Sequence, residues 1–325
     1  MTRTLLITLI STPIIYLLIA LAFTLYPVER DLHSKTLDFS VLPTGLTNQT
    51  GGLESFYTAR DGQKLFFRHF PSDAKTTLIL IHGSGSDGRY LTLLADKLST
   101  SSKASIVIPD LRGHGRSMLD APGDVSYLGQ LEDDLEDLAM HVKGLNLGTI
   151  TALGGHSSGG GLALKYGGNH HATSFDGYLL LAPYMGYNAP TIKPNSGGWV
   201  QVSTRKYIGL SMLNNVGITL LNDQPVVFFN RPPEWDNPLQ VDNYTYRLNE
   251  SFSPQDYVRA LEQNKKPILV LVGEGDDAFY PTEYEPMFSA HAPHAELQIL
   301  PNLKHLKLPS SEATYEKLSH WLANL

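Results

Sequence analysis

The stretch that decides the fold is residues 155–159, which read Gly-His-Ser-Ser-Gly and fit the pattern G-x-S-x-G. A short apolar run at residues 149–153 predicts a strand before it, and residues 161–166 begin a helical pattern after it. A sharp turn between such elements holds a serine clear of the backbone, but it strains the serine's dihedral angles and needs small neighbours. This context predicts that Ser157 is a nucleophile. The alternative is a glycine-rich turn that contains a serine by chance.

Two backbone N–H groups are candidates for stabilising the negative charge that forms when a carbonyl is attacked. The helix after the turn would point its free N–H groups at the developing oxyanion, so Ser158 would contribute its N–H rather than its hydroxyl. Residues 82–85, His-Gly-Ser-Gly, follow an apolar strand at residues 77–80. There Ser84 would supply the second N–H from a loop fixed by glycines. The alternative for residues 82–85 is an ordinary turn at the end of a strand.

A carboxylate and a histidine follow late in the chain, in the order that this chemistry requires. A buried-type strand at residues 267–272 ends in a glycine turn that carries Asp276 and Asp277. The spacing favours Asp276 as the carboxylate that fixes the tautomer of the histidine, with Asp277 as the alternative. His305 lies just beyond the last strand-like run, residues 296–300. The order Ser157, Asp276, His305 is expected on a parallel α/β sheet.

Composition limits the classes of function. The 325 residues, 42% of them hydrophobic, suffice for one large domain with an insertion. The net charge of -7 argues against nucleic acid as a partner. The absence of cysteine excludes a disulfide framework, a thiolate nucleophile and thiolate metal sites. No histidine or carboxylate cluster has metal-ligand spacing, and the chemistry above needs no cofactor.

The N-terminal segment, residues 1–30, is predicted to be a membrane anchor or a signal peptide. No residue from Leu5 to Tyr26 is charged, and a helix needs roughly 20 apolar residues to cross a bilayer. Residues 20–22 could form a signal-peptide cleavage site, but the apolar run continues to Tyr26, which favours an uncleaved transmembrane helix. The flanking charges favour a cytoplasmic N-terminus and a catalytic domain outside the cytoplasm. The alternative is a secreted or periplasmic protein after cleavage.

The rest of the chain is predicted to be one α/β domain interrupted by a cap. Residues 31–52 have a loop-like composition and are interpreted as a linker. Strands alternate with helices in residues 53–186 and 264–325, which predicts a mostly parallel sheet with helices on both faces. Asp61-Gly62 lies between two strand-like runs and predicts a hairpin, the antiparallel edge of this sheet.

Two segments of this domain have distinctive compositions. A helix at about residues 128–142 carries five carboxylates, which are expected to form a solvated face. The alternation stops in residues 187–263, and a structureless loop of that length is implausible in a compact domain. This insertion is predicted to be a cap over Ser157, because it leaves and rejoins the sheet at its C-terminal edge. Its apolar residues, such as Trp199 and Trp235, are expected to form the cap's core and an apolar pocket wall.

Taken together, the motifs resemble those of the α/β-hydrolases, specifically the branch of monoacylglycerol lipases, lysophospholipases and serine aminopeptidase-like hydrolases. The resemblance covers about residues 56–325. It rests on the segments at residues 82–85, 88–90, 110–117 and 155–160 and on the late aspartate and histidine. We interpret residues 110–117, Asp-Leu-Arg-Gly-His-Gly-Arg-Ser, as a structural turn.

The resemblance implies roles for single residues: Ser157 as nucleophile, His305 as base, Asp276 as acid, and the N–H groups of Ser84 and Ser158 as the oxyanion hole. It implies a serine hydrolase that cleaves carboxylic esters, with an acylglycerol or lysophospholipid-like substrate and no cofactor.

Two features leave the substrate open. Ser158 stands where the family often has a larger apolar residue, and the cap has no motif that matches a known specificity. The alternative function is a serine aminopeptidase of the same fold. It would need cap carboxylates such as Glu234 or Asp236 to bind the substrate amine.

Overall fold

The computed structural model describes residues 3–28, 36–42, 52–118, 121–169 and 174–325. Its strands fall into two sheets, a central one and a small one in the insertion. In chain order the strands are β1 (Leu53–Thr58), β2 (Lys64–Phe70), β3 (Thr76–Ile81), β4 (Ser105–Pro109), β5 (Ile150–His156), β6 (Gly177–Leu181), β7 (Val200–Val202), β8 (Pro225–Phe229), β9 (Asn243–Thr245), β10 (Ile268–Gly273) and β11 (Glu296–Leu300).

The central sheet has eight strands in the order β1-β2-β4-β3-β5-β6-β10-β11. Strand β2 pairs antiparallel with β1 and β4, and every other neighbouring pair is parallel. The predicted mostly parallel sheet with an antiparallel edge hairpin is therefore confirmed. Strands β3, β4, β6 and β10 are buried along their whole length, as expected when a parallel sheet is covered on both faces. The loops after β3, β5 and β10 meet at one edge, because parallel strands end there together.

The helices in chain order are α1 (Arg3–Thr24), α2 (Thr92–Thr100), α3 (Gln130–Gly144), α4 (Ser158–Gly167), α5 (Thr204–Asn214), α6 (Tyr246–Phe252), α7 (Tyr257–Gln263), α8 (Tyr284–His291) and α9 (Glu312–Ala323). Helices α2 and α9 contact each other, while α4 contacts α6 and α7, and α3 contacts α6. Helix α4 packs directly on β5 and β6, which fixes its N-terminus beside the end of β5.

The acidic helix α3 differs from the prediction of a solvated face. Asp134 is buried and accepts two hydrogen bonds from Arg112, at 2.8 and 2.7 Å. Asp137 is also buried and binds the guanidinium of Arg60 at 3.1 Å. The prediction is wrong for these two carboxylates, because the tertiary fold places arginines from two distant loops over them.

The insertion contains the strands β7–β9, which form an antiparallel sheet in that order, and the helices α5–α7. Strand β8 is the central strand of this sheet, and four of its five residues are buried. Trp199, just before β7, stacks on Phe229 at the end of β8, with ring centroids 5.2 Å apart. Large apolar residues of the insertion, including Trp199 and Phe229, belong to the same hydrophobic core as the residues of the central sheet.

Helix α1 packs against α5 of the insertion. The crossing is close because Gly209 has no side chain: a Cβ there would lie 2.5 Å from the backbone N of Thr24 and 2.6 Å from the carbonyl O of Ala20. The Tyr16 hydroxyl donates to the carbonyl of Met212 at 3.0 Å. Within the described ranges, no helix combines the length and the apolar character that a membrane span requires. The predicted transmembrane helix is therefore not confirmed.

The predicted linker, residues 31–52, lies partly outside the described residues, at positions 31–35 and 43–51. Residues 36–42 are described, and they are not a free connection. Leu37 is buried in the main hydrophobic core, and Phe39 packs against the same core.

One buried ion pair fixes the turn at residues 110–117. Arg68 on β2 binds Asp110 at 2.7 Å, and both side chains are almost completely buried. Asp110 also accepts the backbone N–H groups of Gly88 and Arg116, each at 3.0 Å. Asp110 therefore holds the loop, which agrees with the interpretation of residues 110–117 as a structural turn.

We predict that Asp110→Ala lowers the free energy of unfolding by about 3–5 kcal/mol, because it leaves the Arg68 charge buried without its partner. Urea titration followed by circular dichroism would measure the change. Glu54→Ala is the control, since it removes the exposed Arg116–Glu54 pair and should cost less than about 1 kcal/mol. Equal losses in the two variants would contradict the importance of the buried pair.

Candidate active site

Ser157 lies at a strained turn between β5 and α4. Its backbone has φ 57° and ψ -123°, a conformation that residues with side chains rarely adopt. Glycines make the turn sterically feasible. A Cβ on Gly155 would lie 2.2 Å from the carbonyl C of Gly159, and one on Gly159 would lie 2.4 Å from the carbonyl O of His82. The predicted small residues on both sides of the serine are thus required by backbone contacts.

The carboxylate at the His305 ring belongs to Asp276. His305 Nδ1 lies 2.8 Å from Asp276 Oδ2, and both side chains are buried. The other carboxylate oxygen accepts the backbone N–H groups of Ala278 at 2.9 Å and Phe279 at 2.8 Å. Asp277, the alternative from the sequence, instead accepts the backbone N–H of His305, at 3.2 Å. The structure therefore brings Asp276, and not Asp277, to the ring.

Ser157 and His305 line one cavity, which is partly open to solvent. The lining is largely apolar. The apolar lining residues are Leu37, Phe39, Leu42, Trp199, Trp235 and Leu306.

The loop with Ser84 is held by two tyrosine hydroxyls. The N–H of Gly83 donates to Tyr90 Oη at 2.7 Å, and the N–H of Gly85 donates to Tyr244 Oη at 2.8 Å. Ser84 lies between these two bonded groups and lines the cavity. Ser158 is the first residue of α4, where a backbone N–H has no acceptor within the helix. Both predicted N–H donors thus lie on rigid segments next to Ser157.

A bridge of two side chains, which the sequence analysis did not find, joins the Ser84 loop to the His305 loop. The Tyr90 hydroxyl donates to His156 Nδ1 at 3.0 Å, and His156 Nε2–H donates to the carbonyl of His305 at 3.2 Å. Burial keeps the pKa of His156 well below its ordinary value, and the nearby His305 acts in the same direction. A neutral ring can accept on one nitrogen and donate from the other. Tyr90 belongs to the segment at residues 88–90 on which the family resemblance rests, but the spacing of that segment did not reveal the contact with His156.

A second bridge ties the insertion to the turn at residues 110–117. The Tyr244 hydroxyl donates to His114 Nε2 at 2.6 Å, and His114 Nδ1–H donates to the carbonyl of Arg112 at 3.0 Å. Burial keeps the pKa of His114 well below its ordinary value. His114 therefore holds Tyr244, and through it Gly85. No signal in the sequence pairs Tyr244 on β9 with these loops.

Comparison with known sequences identifies the family. A family model described as "Serine aminopeptidase, S33" matches residues 72–310, well over half of the chain. "Lipase 3" from Moraxella sp. (strain TA144) is 31% identical over 109 residues, which are 34% of this chain and 32% of that protein. The match thus spans about a third of the length of this relative.

Three solved structures share the fold at low sequence identity. The α/β hydrolase GrgF from Penicillium sp. sh18 has a TM-score of 0.64 and 17% identity, covering 85% of this chain and 99% of that one. A soluble variant of monoglyceride lipase from Saccharomyces cerevisiae, in complex with a substrate analog, has a TM-score of 0.60 and 18% identity, covering 92% and 99%. Monoacylglycerol lipase from Paleococcus ferrophilus has a TM-score of 0.57 and 18% identity, covering 81% and 99%.

The matched residues 72–310 include the Ser84 loop, Ser157 and His305, which all line the cavity. The sheet order, the strained serine turn and the solved structures agree on the fold. The chain therefore belongs to the serine aminopeptidase (S33) family and has the α/β-hydrolase fold.

Proposed function

We propose that the protein is a serine hydrolase that cleaves carboxylic esters through an acyl-enzyme, with acylglycerols or lysophospholipid-like esters as substrates. One observation carries the proposal. A serine in a strained turn and a buried histidine, bonded to an aspartate at 2.8 Å, line the same largely apolar cavity. Ser157 is then the nucleophile, His305 the base and Asp276 the acid.

The reaction proceeds in two steps. His305 Nε2 takes the Ser157 proton as the hydroxyl oxygen attacks the ester carbonyl, and then gives that proton to the leaving alcohol. Water, deprotonated by the same histidine, releases the acid from the acyl-enzyme. Asp276 holds the histidine with Nδ1 protonated and stabilises the imidazolium that forms in each step.

The oxyanion of each tetrahedral intermediate is bound by the N–H groups of Ser84 and Ser158. Each such donor contributes roughly 3 kcal/mol to the transition state. The tyrosines that hold Gly83 and Gly85 support this role, because the Ser84 loop is already ordered before substrate binds. Donors that need no reorganisation are the effective ones.

An ester with an apolar chain suits the cavity better than an amino-terminal peptide. Glu234 and Asp236, the carboxylates that an aminopeptidase would need, are exposed and are not among the described residues that line the cavity. Asp87 does line it, but its carboxylate already binds the guanidinium of Arg89 at 2.8 and 2.7 Å. An aminopeptidase, the activity that the family's description names, is therefore the second candidate function.

We also propose that α1 anchors the protein to a membrane, with the catalytic domain outside the cytoplasm. The uncharged run from Leu5 to Tyr26 and the exposed apolar residues Ile14 and Leu18 support this. Ile208 on α5 and Leu220, which follows α5 in the chain, are exposed as well. A secreted or periplasmic form after cleavage is the alternative.

We predict that Ser157→Ala folds normally and reduces ester turnover on the order of 10⁶-fold, because it removes the nucleophile. Turnover would be measured with p-nitrophenyl esters from acetate to palmitate, beside a panel of amino-acid p-nitroanilides. Ser126→Ala, an exposed serine away from the cavity, is the control and should keep full activity. Activity that survives in Ser157→Ala would exclude this nucleophile, and cleavage of anilides alone would favour the aminopeptidase.

We predict that substitutions of the two adjacent aspartates have strongly different effects on kcat. Asp276→Asn should lower kcat by about 10⁴-fold, because an amide cannot hold the histidine in the required tautomer. The decrease in kcat caused by Asp277→Asn should be at least 100-fold smaller, since Asp277 contacts the backbone of His305 and not its ring. Steady-state kinetics on the best ester would measure both variants. Equal losses would overturn the assignment of Asp276.

Membrane attachment can be tested with charges placed on α1. The full-length protein should stay in the membrane fraction after a carbonate wash, and Ile14→Asp with Leu18→Asp should shift it to the supernatant, because charges in a bilayer are costly. Leu53→Asp is the control, since Leu53 is 62% exposed and Leu18 is 61% exposed. Wild-type protein in the supernatant with an intact N-terminus would contradict the anchor, and loss of residues 1–22 would indicate a cleaved signal peptide.

A further inference from the structure

Residues 36–42, which we call the strap, form one wall of the cavity beside Ser157. The strap lies between α1 and β1 in the chain, far from every segment that carries a proposed catalytic residue. Leu37, Phe39 and Leu42 nevertheless line the cavity. The segment after the N-terminal helix therefore contributes directly to the surface that a substrate would contact.

Phe39 occupies the centre of an aromatic cluster with residues of the insertion. Its ring centroid lies 5.6 Å from that of Trp199 and 5.8 Å from that of Trp235, with interplanar angles of 47° and 46°. Trp199 Nε1–H in turn donates to Ser84 Oγ at 3.3 Å. The cluster thus reaches from the strap to the loop beside the nucleophile. A bulkier or smaller residue at position 39 changes the space along this wall.

A carboxylate connects the strap to the loop of the histidine. Asp277 accepts the backbone N–H of Asp38 at 3.0 Å on one oxygen and that of His305 at 3.2 Å on the other. The Asp38 carboxylate binds Lys304 at 2.6 Å, and this contact lowers the pKa of Asp38. The Asp38–Lys304 pair is partly exposed and contributes little. The charge-assisted bonds of Asp277 and the burial of Leu37 are the stronger restraints on the strap.

We infer that the strap sets the substrate specificity of this enzyme: Phe39 limits the length of the apolar chain that the cavity accepts, and Asp277 is a positioning residue that holds the strap beside His305. The inference rests on the proposed ester hydrolysis, since it assigns a specificity element to that reaction. It follows from the position of Phe39, because an apolar chain that extends from Ser157 along the cavity meets this ring and the two tryptophans around it.

The test compares full-length Phe39→Ala and Phe39→Trp with wild type. The measurement is kcat/KM across two ester series, one that varies the acyl chain and one that varies the alcohol. Phe39→Ala should move the optimum to a chain at least two carbons longer and lower kcat/KM for the wild type's best ester about tenfold. Phe39→Trp should move the optimum to shorter chains. The series that changes identifies the part of the ester that lies against the strap.

The control is Phe56→Ala, a phenylalanine that is exposed on the edge strand β1 and does not line the cavity. Its profile should match that of wild type. The inference is wrong if both Phe39 variants have the same chain-length profile as the Phe56→Ala control. If Phe39→Ala misfolds, Phe39→Trp is compared with wild type instead. The rate at which alkyl fluorophosphonates of increasing chain length label Ser157 then gives the chain-length profile of each protein. A wild type that is not labelled at all would instead contradict the proposed function.

Asp277→Asn tests the positioning role. An amide keeps one acceptor but presents its NH₂ to the other backbone N–H, so one restraint on the strap is lost. The chain-length profile should shift in the same direction as in Phe39→Ala, and the double variant should shift no further, because both changes act on the same wall. Asp276→Asn should lower kcat without changing the profile. An Asp277→Asn profile that matches wild type would exclude the positioning role.

Discussion

The site depends on one backbone constraint, the positive φ of Ser157 between β5 and α4. Such a conformation costs on the order of 1–3 kcal/mol and persists only where the surroundings enforce it. Here β5 lies between β3 and β6 in the sheet, and the chain packs so closely that a side chain at Gly155 or Gly159 would collide with backbone. Because the turn is fixed, the serine side chain has one position relative to the loops after β3, β10 and β11.

Buried neutral side chains then join these loops. His156 and Tyr90 connect the Ser84 loop to the loop of His305, and His114 and Tyr244 connect the insertion to the segment at residues 110–117. Burial lowers the pKa of both bridging histidines, so each can accept and donate without adding a charge. A candidate active site held by such bonds has its polar groups positioned before substrate arrives, and this positioning favours electrostatic stabilisation of an oxyanion.

The N-terminal part of the chain is integrated with the catalytic body. Helix α1 crosses α5 at Gly209, and residues 36–42 reach the cavity wall. Loop-like composition had indicated a linker there. The alternation of Leu37, Asp38, Phe39 and Ser40 was the available signal, since apolar residues at every second position are typical of a chain with one buried face. Composition averages over such short patterns and hides them.

The sequence by itself determined the main strands of the central sheet and their order along the chain. Short continuous apolar runs, the hairpin at Asp61-Gly62 and the glycine-flanked Ser157 depend on local steric and hydrophobic preferences, which residues close in sequence express on their own. The tertiary structure alone decided which aspartate meets His305, which carboxylates of α3 are buried, and where Phe39 and Tyr244 lie. These contacts join residues far apart in the chain. Their geometry is fixed only when the strands pair and the insertion packs over the sheet, and no local preference of the chain encodes it.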